Sequence, residues 1–186
     1  MQSEKEREDA GRMGQGKRSL VLSPHNDDAV LFGAFTILRE KPLVLTILDS
    51  AKQGNAYQRR TEDLEAMTVL DAQIEFLGVS DANPDWALLE RLLFDFGQPE
   101  MVYAPCPEEG GNKDHNAIGE MAGRIFQNVT YYMTYTKSGR SVGVPVPYEP
   151  EWVGLKLRAL ACYESQIGRR DNVDHFLRPQ YEYISA

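Results

Sequence analysis

Short apolar bursts alternate with longer amphipathic stretches along this chain, and that rhythm narrows the fold to one class. The bursts are Ser19 to Leu22 (SLVL), ending in Ser-Pro-His, and Leu43 to Leu48 (LVLTIL), entered from Pro42. Ile74 to Leu77 follows, closed by Gly78, then Met101 to Ala104 (MVYA), closed by Pro105. Val129 to Thr136 (VTYYMTYT) alternates and is rich in β-branched and aromatic residues, so it reads as a fifth strand. Between them lie helical patterns. Asp28 to Arg39 places Val30, Leu31, Ala34, Ile37 and Leu38 on one face, and Tyr57 to Leu70 does the same with Leu64, Met67 and Leu70. Trp86 to Phe94, His115 to Phe126 and Glu151 to Tyr163 complete the set. Strand and helix alternating in this way predict an α/β fold, a Rossmann-like three-layer sandwich around a mostly parallel central sheet. In such sheets ligands bind outside the carboxyl ends of the strands, so the loops that follow strands are where chemistry is expected.

At 186 residues and 42% hydrophobic content the chain can build one domain with a sizeable core. That domain is expected over 19–186. The first 18 residues are charged and lack an apolar centre, so they read as a flexible lead-in and not as a secretory signal. A formal net charge of -8 repels phosphate backbones and argues against a nucleic-acid partner. No apolar run approaches the ~18–20 residues that cross a bilayer. Cys106 and Cys162 share no close spacing. They therefore suggest neither a thiolate metal site nor a disulfide framework, but thiols in a reducing, cytoplasmic compartment. A chain this short has little room for substrate-binding insertions. A shallow pocket, or one completed by a neighbouring subunit in a homo-oligomer, is expected.

Two strand-ending loops concentrate imidazole and carboxylate groups. Ser23-Pro24-His25-Asn26-Asp27-Asp28 follows the first burst, and Gly110-Gly111-Asn112-Lys113-Asp114-His115 follows the fourth. A divalent metal accounts for this composition, because a catalytic zinc takes three nitrogen or oxygen ligands from the protein and leaves one position for water. His25 and Asp28 are three apart at a helix start and can face one ion, with His115 supplied from the distant loop. Asp27, Asp28 or Asp114 can alternatively cap the helices that begin there. Spacing alone does not say which of Asp27 and Asp28 stays off the metal.

The segment SPHNDDAVLFGA resembles the His-Pro-x-Asp-Asp motif of the PIG-L/LmbE-like de-N-acetylases, zinc enzymes that deacetylate N-acetylglucosamine-containing substrates. Other segments agree in order. RRTEDLEAMTVLDAQIEFLGVSDA, from Arg59, is similar to the family's Arg-x-x-Glu helix and the strand after it. GGNKDHNAIG is similar to its Gly-His-x-Asp-His-x-Ala loop, and KLRALACYESQI, from Lys156, to its late Tyr-x-Ser-Gln helix. The resemblance runs from about Ser19 to Ile167. It implies Zn2+ (or another divalent metal) held by His25, Asp28 and His115, with Asp27 as general base. The implied substrate is a small N-acylated, sugar-like molecule. This agrees with the chemistry of the residues, because one carboxylate must remain free to accept a proton.

One departure matters. The family loop carries a histidine where this chain has Asn112, a position that helps stabilise the oxyanion or protonate the leaving amine. Asn donates hydrogen bonds but delivers no proton. Either Asp27 serves as both base and acid, or turnover is slower, or the substrate differs. A metal hydrolase of another amide or ester, and a non-catalytic sugar- or metal-binding domain, are the rival readings. A nucleotide-binding Rossmann domain is disfavoured, since no Gly-x-Gly-x-x-Gly turn follows the first strand. Among lesser candidates, Asp114 is placed with the catalytic groups, and either Arg59 or Arg60 reaches substrate. Tyr163, Ser165 and Gln166 line the rim or pack the helix. His175 reads as a surface residue of a polar tail, and Tyr131, Tyr132 and Tyr135 as strand residues.

Overall fold

A computed structural model of the chain describes residues 19–49, 56–134, 143–167 and 182–185. In chain order the elements are β1 (Leu20–Ser23), α1 (Asp28–Glu40), β2 (Leu43–Asp49), α2 (Ala56–Leu70), β3 (Gln73–Ser80), α3 (Trp86–Asp95) and β4 (Val102–Pro105). They continue with α4 (Lys113–Ile125), β5 (Val129–Tyr132), β6 (Val144–Pro145), α5 (Pro150–Ala161), α6 (Glu164–Ile167) and β7 (Tyr183–Ile184). The described strands form one sheet in the order β3-β2-β1-β4-β5-β7-β6. The five strands from β3 to β5 pair in parallel; β7 and β6 add an antiparallel edge. β6 and β7 are two residues long each, too short to show a period, which is why only five strands are legible in the sequence.

The sheet is covered on both faces, and strand alternation sorts its side chains. Val21 and Val44 point with Tyr103 and Tyr132 into a core shared with Val30, Ile37, Met67, Leu70 and Leu160 of α1, α2 and α5. Leu20, Leu22, Leu45 and Ile47 face the other way, onto Leu89 and Leu93 of α3 and Ile118 and Met121 of α4. This is the three-layer α/β sandwich expected from the apolar rhythm. No described helix is long and apolar enough to cross a membrane.

Two expectations change. Gly78 does not close the third burst, because β3 continues to Ser80. Pairing with β2 skips, Phe76 opposite Thr46 and Val79 opposite Leu48, and Gly78 takes φ 72° in this bulge. In α2, Met67 and Leu70 are buried but Leu64 is half exposed. The inward face of α2 is instead Arg59, Glu62, Asp63, Ala66, Met67 and Leu70. At 100° per residue these positions share one stripe, and its first turns carry charge where a core helix would carry leucine.

The order β3-β2-β1-β4-β5 places a switch point between β1 and β4: the chain first winds outward to β3, then returns to the opposite side of β1. Both residue-rich loops leave the carboxyl ends of those two adjacent strands. Close approach of α4 to β4 fixes the second loop. A Cβ on Gly119 would sit 2.2 Å from the Pro105 carbonyl oxygen and 2.9 Å from Pro107. Gly119→Ala is therefore expected to destabilise the protein despite alanine's better helix propensity. A loss on the order of 5 °C in Tm follows if backbone has to shift, and calorimetry showing an unchanged or higher Tm would contradict this packing.

Candidate metal and catalytic site

The first loop turns sharply after β1. Asp27 occupies the N-cap position of α1 with φ 102°, a region that non-glycine residues rarely enter, and its side chain makes no capping bond. Capping falls to Ser23, whose hydroxyl accepts from the Ala29 N–H at 3.0 Å and donates to the His25 carbonyl at 2.8 Å. In the second loop the cap is Asn112, whose Oδ1 accepts from the Asp114 N–H at 2.8 Å. These two caps leave Asp27, Asp28 and Asp114 available to other partners. Asn112 is thereby committed through its oxygen, with only its Nδ2 able to serve an oxyanion.

His25, Asp28 and His115 converge. Asp28 Oδ2 lies 3.1 Å from His25 Nδ1 and 3.0 Å from His115 Nε2, and the two nitrogens are 3.3 Å apart. Three ligand atoms this close repel one another unless protons or a cation lie among them. Bonds of 2.0–2.1 Å in a tetrahedron give ligand–ligand edges of about 3.3–3.4 Å, close to the sides of this triangle. Behind it, His25 Nε2 faces Asp114 Oδ2 at 3.3 Å, which orients the ring from its far side. His115 Nδ1 is buried with no hydrogen-bond partner among the described residues. Phe32 packs edge-on against His115 and stacks on Tyr132, forming an apolar wall.

Charge balance points the same way. Asp27, Asp28, Asp63 and Asp114 are all buried, and among the described residues Arg59 is the guanidinium that reaches them, 3.1 Å from Asp27 Oδ2. Excess buried negative charge is costly unless a cation or protons offset it. Burial alone would raise Asp28, yet the neighbouring His115 and His25 hold it far below the usual carboxylate range. Burial and then the adjacent Asp28 carboxylate push Asp27 up to about 8, against the pull of Arg59 and His25. Burial favours a neutral His25, but Asp114 and Asp28 outweigh it and raise the ring to about 10. A divalent cation would do the work those protons do, so the donor set fits a metal of the zinc type.

The two arginines part company. Arg59 turns inward to Asp27 and to the Asn26 carbonyl. Arg60 makes a two-pronged contact with Asp49, at 2.9 and 2.6 Å, and its guanidinium lies over Phe76. Asp63, one helical turn after Arg59, is absent from the sequence-level candidates. Its carboxylate accepts from Asn26 Nδ2 (2.7 Å), the Asp27 N–H (3.3 Å), Thr46 Oγ1 (3.1 Å) and Tyr163 OH (2.7 Å). Burial raises it to about 6 despite these four donors. Beside it, Glu62 accepts from the Ser165 N–H and hydroxyl at 2.8 and 2.6 Å. Tyr163 and Ser165 thus latch the α5–α6 corner onto α2, and Gln166 Nε2 donates to Ser165. The readable signal for Asp63 was its i, i+4 relation to Arg59 on the face that continues into Ala66, Met67 and Leu70. Tyr132 donates to the Leu22 carbonyl from within β5. Tyr135 and His175 lie outside the described residues.

A family model, PIG-L (GlcNAc-PI de-N-acetylase), matches residues 20–126, more than half of the chain. The chain belongs to the PIG-L family. Solved structures support the fold. A deacetylase of the teicoplanin biosynthetic pathway superposes with TM-score 0.69 at 19% identity, covering 90% of this chain and 95% of that one; the teicoplanin deacetylase is also known in a zinc-inhibited form. The A40926 pseudoaglycone deacetylase Dbv21 gives TM-score 0.68 at 18% identity, covering 90% and 94%. GalB, the 4-carboxy-2-hydroxymuconate hydratase of Pseudomonas putida KT2440, gives 0.58 at 19% identity, covering 87% and 83%. Comparison with curated protein sequences yields no match.

If the triad binds metal, loading chelator-treated protein with Zn2+ at about a hundredfold excess over Kd is expected to raise Tm by roughly 5–10 °C. His115→Ala is expected to abolish that rise. Equal shifts in the two proteins would remove His115 from the ligand set.

Proposed function

We propose that this PIG-L family member is a zinc-dependent hydrolase that removes an N-acetyl group from a small amino sugar or its conjugate. The observation that carries this reading is the His25, Asp28 and His115 cluster, whose ligand atoms lie within 4.8 Å of one another, with Asp27 beside it and outside it. Family membership supports the reaction class, and the sugar-like substrate is supported by the family description. The fold itself does not decide the chemistry, since a hydratase shares it.

His25, Asp28 and His115 would hold the cation. When bound, such an ion acidifies water and polarises an acyl carbonyl. Asp27 is the one carboxylate at the cluster that pairs with Arg59 and makes no capping bond, so it is positioned to accept the proton of the attacking water. Arg59 keeps Asp27 oriented. Asp114 keeps the His25 ring turned toward the triangle. After the carbonyl is attacked, Asp27 holds the proton that the departing amine needs. With asparagine at 112, Asp27 serves both as base and as acid, and Asn112 Nδ2 donates to the oxyanion. A chain with two free, partly buried cysteines suits a reducing cytoplasm, as does a small soluble substrate.

Asp27→Asn is expected to lower kcat for amine release from N-acetylglucosamine conjugates by about 10²–10⁴-fold. Zinc content is expected to stay stoichiometric. A discontinuous amine assay and metal analysis of the same samples test both halves. Unchanged turnover in Asp27→Asn, or hydrolysis confined to an ester panel with no amine released, would overturn the proposal.

A further inference from the structure

We propose that Asp63 is a positioning residue that holds Asp27 in its proton-accepting pose. The inference rests on the reading of Asp27 as the base. Its starting point is the backbone of Asp27, at φ 102°. A non-glycine residue stays in that region only when its surroundings hold it there. The hold comes from one turn of α2. Arg59 Nη2 binds the Asn26 carbonyl and the Asp27 carboxylate, while Asp63 accepts from the Asn26 side chain and the Asp27 N–H. Residues 26 and 27 are thus gripped through backbone and side chain by an i, i+4 pair on a single helix.

Asp63 is itself held from outside the loop. Thr46 reaches it from β2 and Tyr163 from the corner between α5 and α6, and both hydroxyls donate to it. Asp63 is almost fully buried, 1% exposed, so water does not compete for these bonds. A carboxylate is the one side chain of this size that accepts from four donors at once. An asparagine there presents two N–H donors to groups that are already donating. Arg59 cannot replace this role, because it donates to the Asn26 carbonyl and has nothing to offer the Asp27 N–H.

A residue that acts only through Asp27 predicts non-additivity, whereas a general structural role predicts independent losses. The test is a cycle of wild type, Asp27→Asn, Asp63→Asn and the double variant, assayed for amine release. Deuterium uptake of peptides covering residues 24–29 and zinc content are measured alongside. Asp63→Asn is expected to lower kcat about 30–100-fold with KM within about threefold and zinc retained, to raise exchange in 24–29, and to add nothing in the Asp27→Asn background. Additive losses with unchanged exchange would overturn the proposal. If Asp63→Asn fails to fold, Tyr163→Phe and Thr46→Val remove one anchor each without touching the loop. Each is expected to lower kcat several-fold only when Asp27 is present, and wild-type kcat in both also overturns it. If instead Asp27→Asn has no effect on turnover, the hydrolase mechanism fails, while the exchange measurement still decides whether Asp63 grips the loop.

Discussion

An excess of buried carboxylate at the switch point is the constraint on which the rest of this molecule turns. Asp27, Asp28, Asp63 and Asp114 come together with His25, His115 and Arg59 at the adjacent ends of two parallel strands. Such a cluster does not assemble for the sake of stability, because desolvating each charge costs several kcal/mol before any pairing offsets it. The surrounding elements can be read as responses to that cost. Ser23 and Asn112 take over the capping that the acids would otherwise do. Arg59 is buried from α2, and Thr46 and Tyr163 spend their hydroxyls on Asp63. A cation at the triad would complete this arrangement electrostatically, and the triad's dimensions suit one.

A second buried charge pair stands apart from the site and ties the sheet edge to the helical layer. Lys156 of α5 lies 2.6 Å from Glu182 and donates to the Leu31 carbonyl at 2.9 Å. Glu182 in turn accepts from the Phe35 N–H at 3.0 Å. One side-chain pair thereby engages the carbonyl and amide of an i, i+4 pair in α1. This joins the short strand β7 to the helix that carries Asp28, and it satisfies both buried charges with backbone groups as well as with each other.

Much of the architecture was legible because β1, β2 and β4 are buried on both faces and so appear as continuous apolar runs. Sequence composition also exposed the two loops, since imidazole and carboxylate groups crowd into a few residues after strands. What it could not expose was the division of labour inside them. Whether Asp27 caps a helix or turns to Arg59 depends on a positive φ and on a hydroxyl four residues earlier, neither of which has a local pattern. Arg59 and Arg60 are adjacent in sequence and indistinguishable there, yet 100° of helical rotation sends one to Asp27 and the other to Asp49. Asp63 was hidden for a related reason. Its meaning comes from Thr46 and Tyr163, far away in the chain, and in isolation it is one more acid on a charged helix. Leu64, by contrast, fits an apolar helical pattern and lies half exposed, because the stripe next to it had been given over to the site.

The tether from Tyr163 to Asp63 also has a meaning in time. Every donor of the triad, together with Asp27, Arg59 and Asp63, lies within residues 20–126, the span that carries the family match. The second hydroxyl that secures Asp63, that of Tyr163, arrives 48 residues after His115, the last of these (163 against 115). During synthesis His25, Asp28 and His115 are therefore all present before the corner that anchors Asp63 has left the ribosome. The order of synthesis thus completes the His-Asp-His cluster first and the last anchor of Asp63 afterwards.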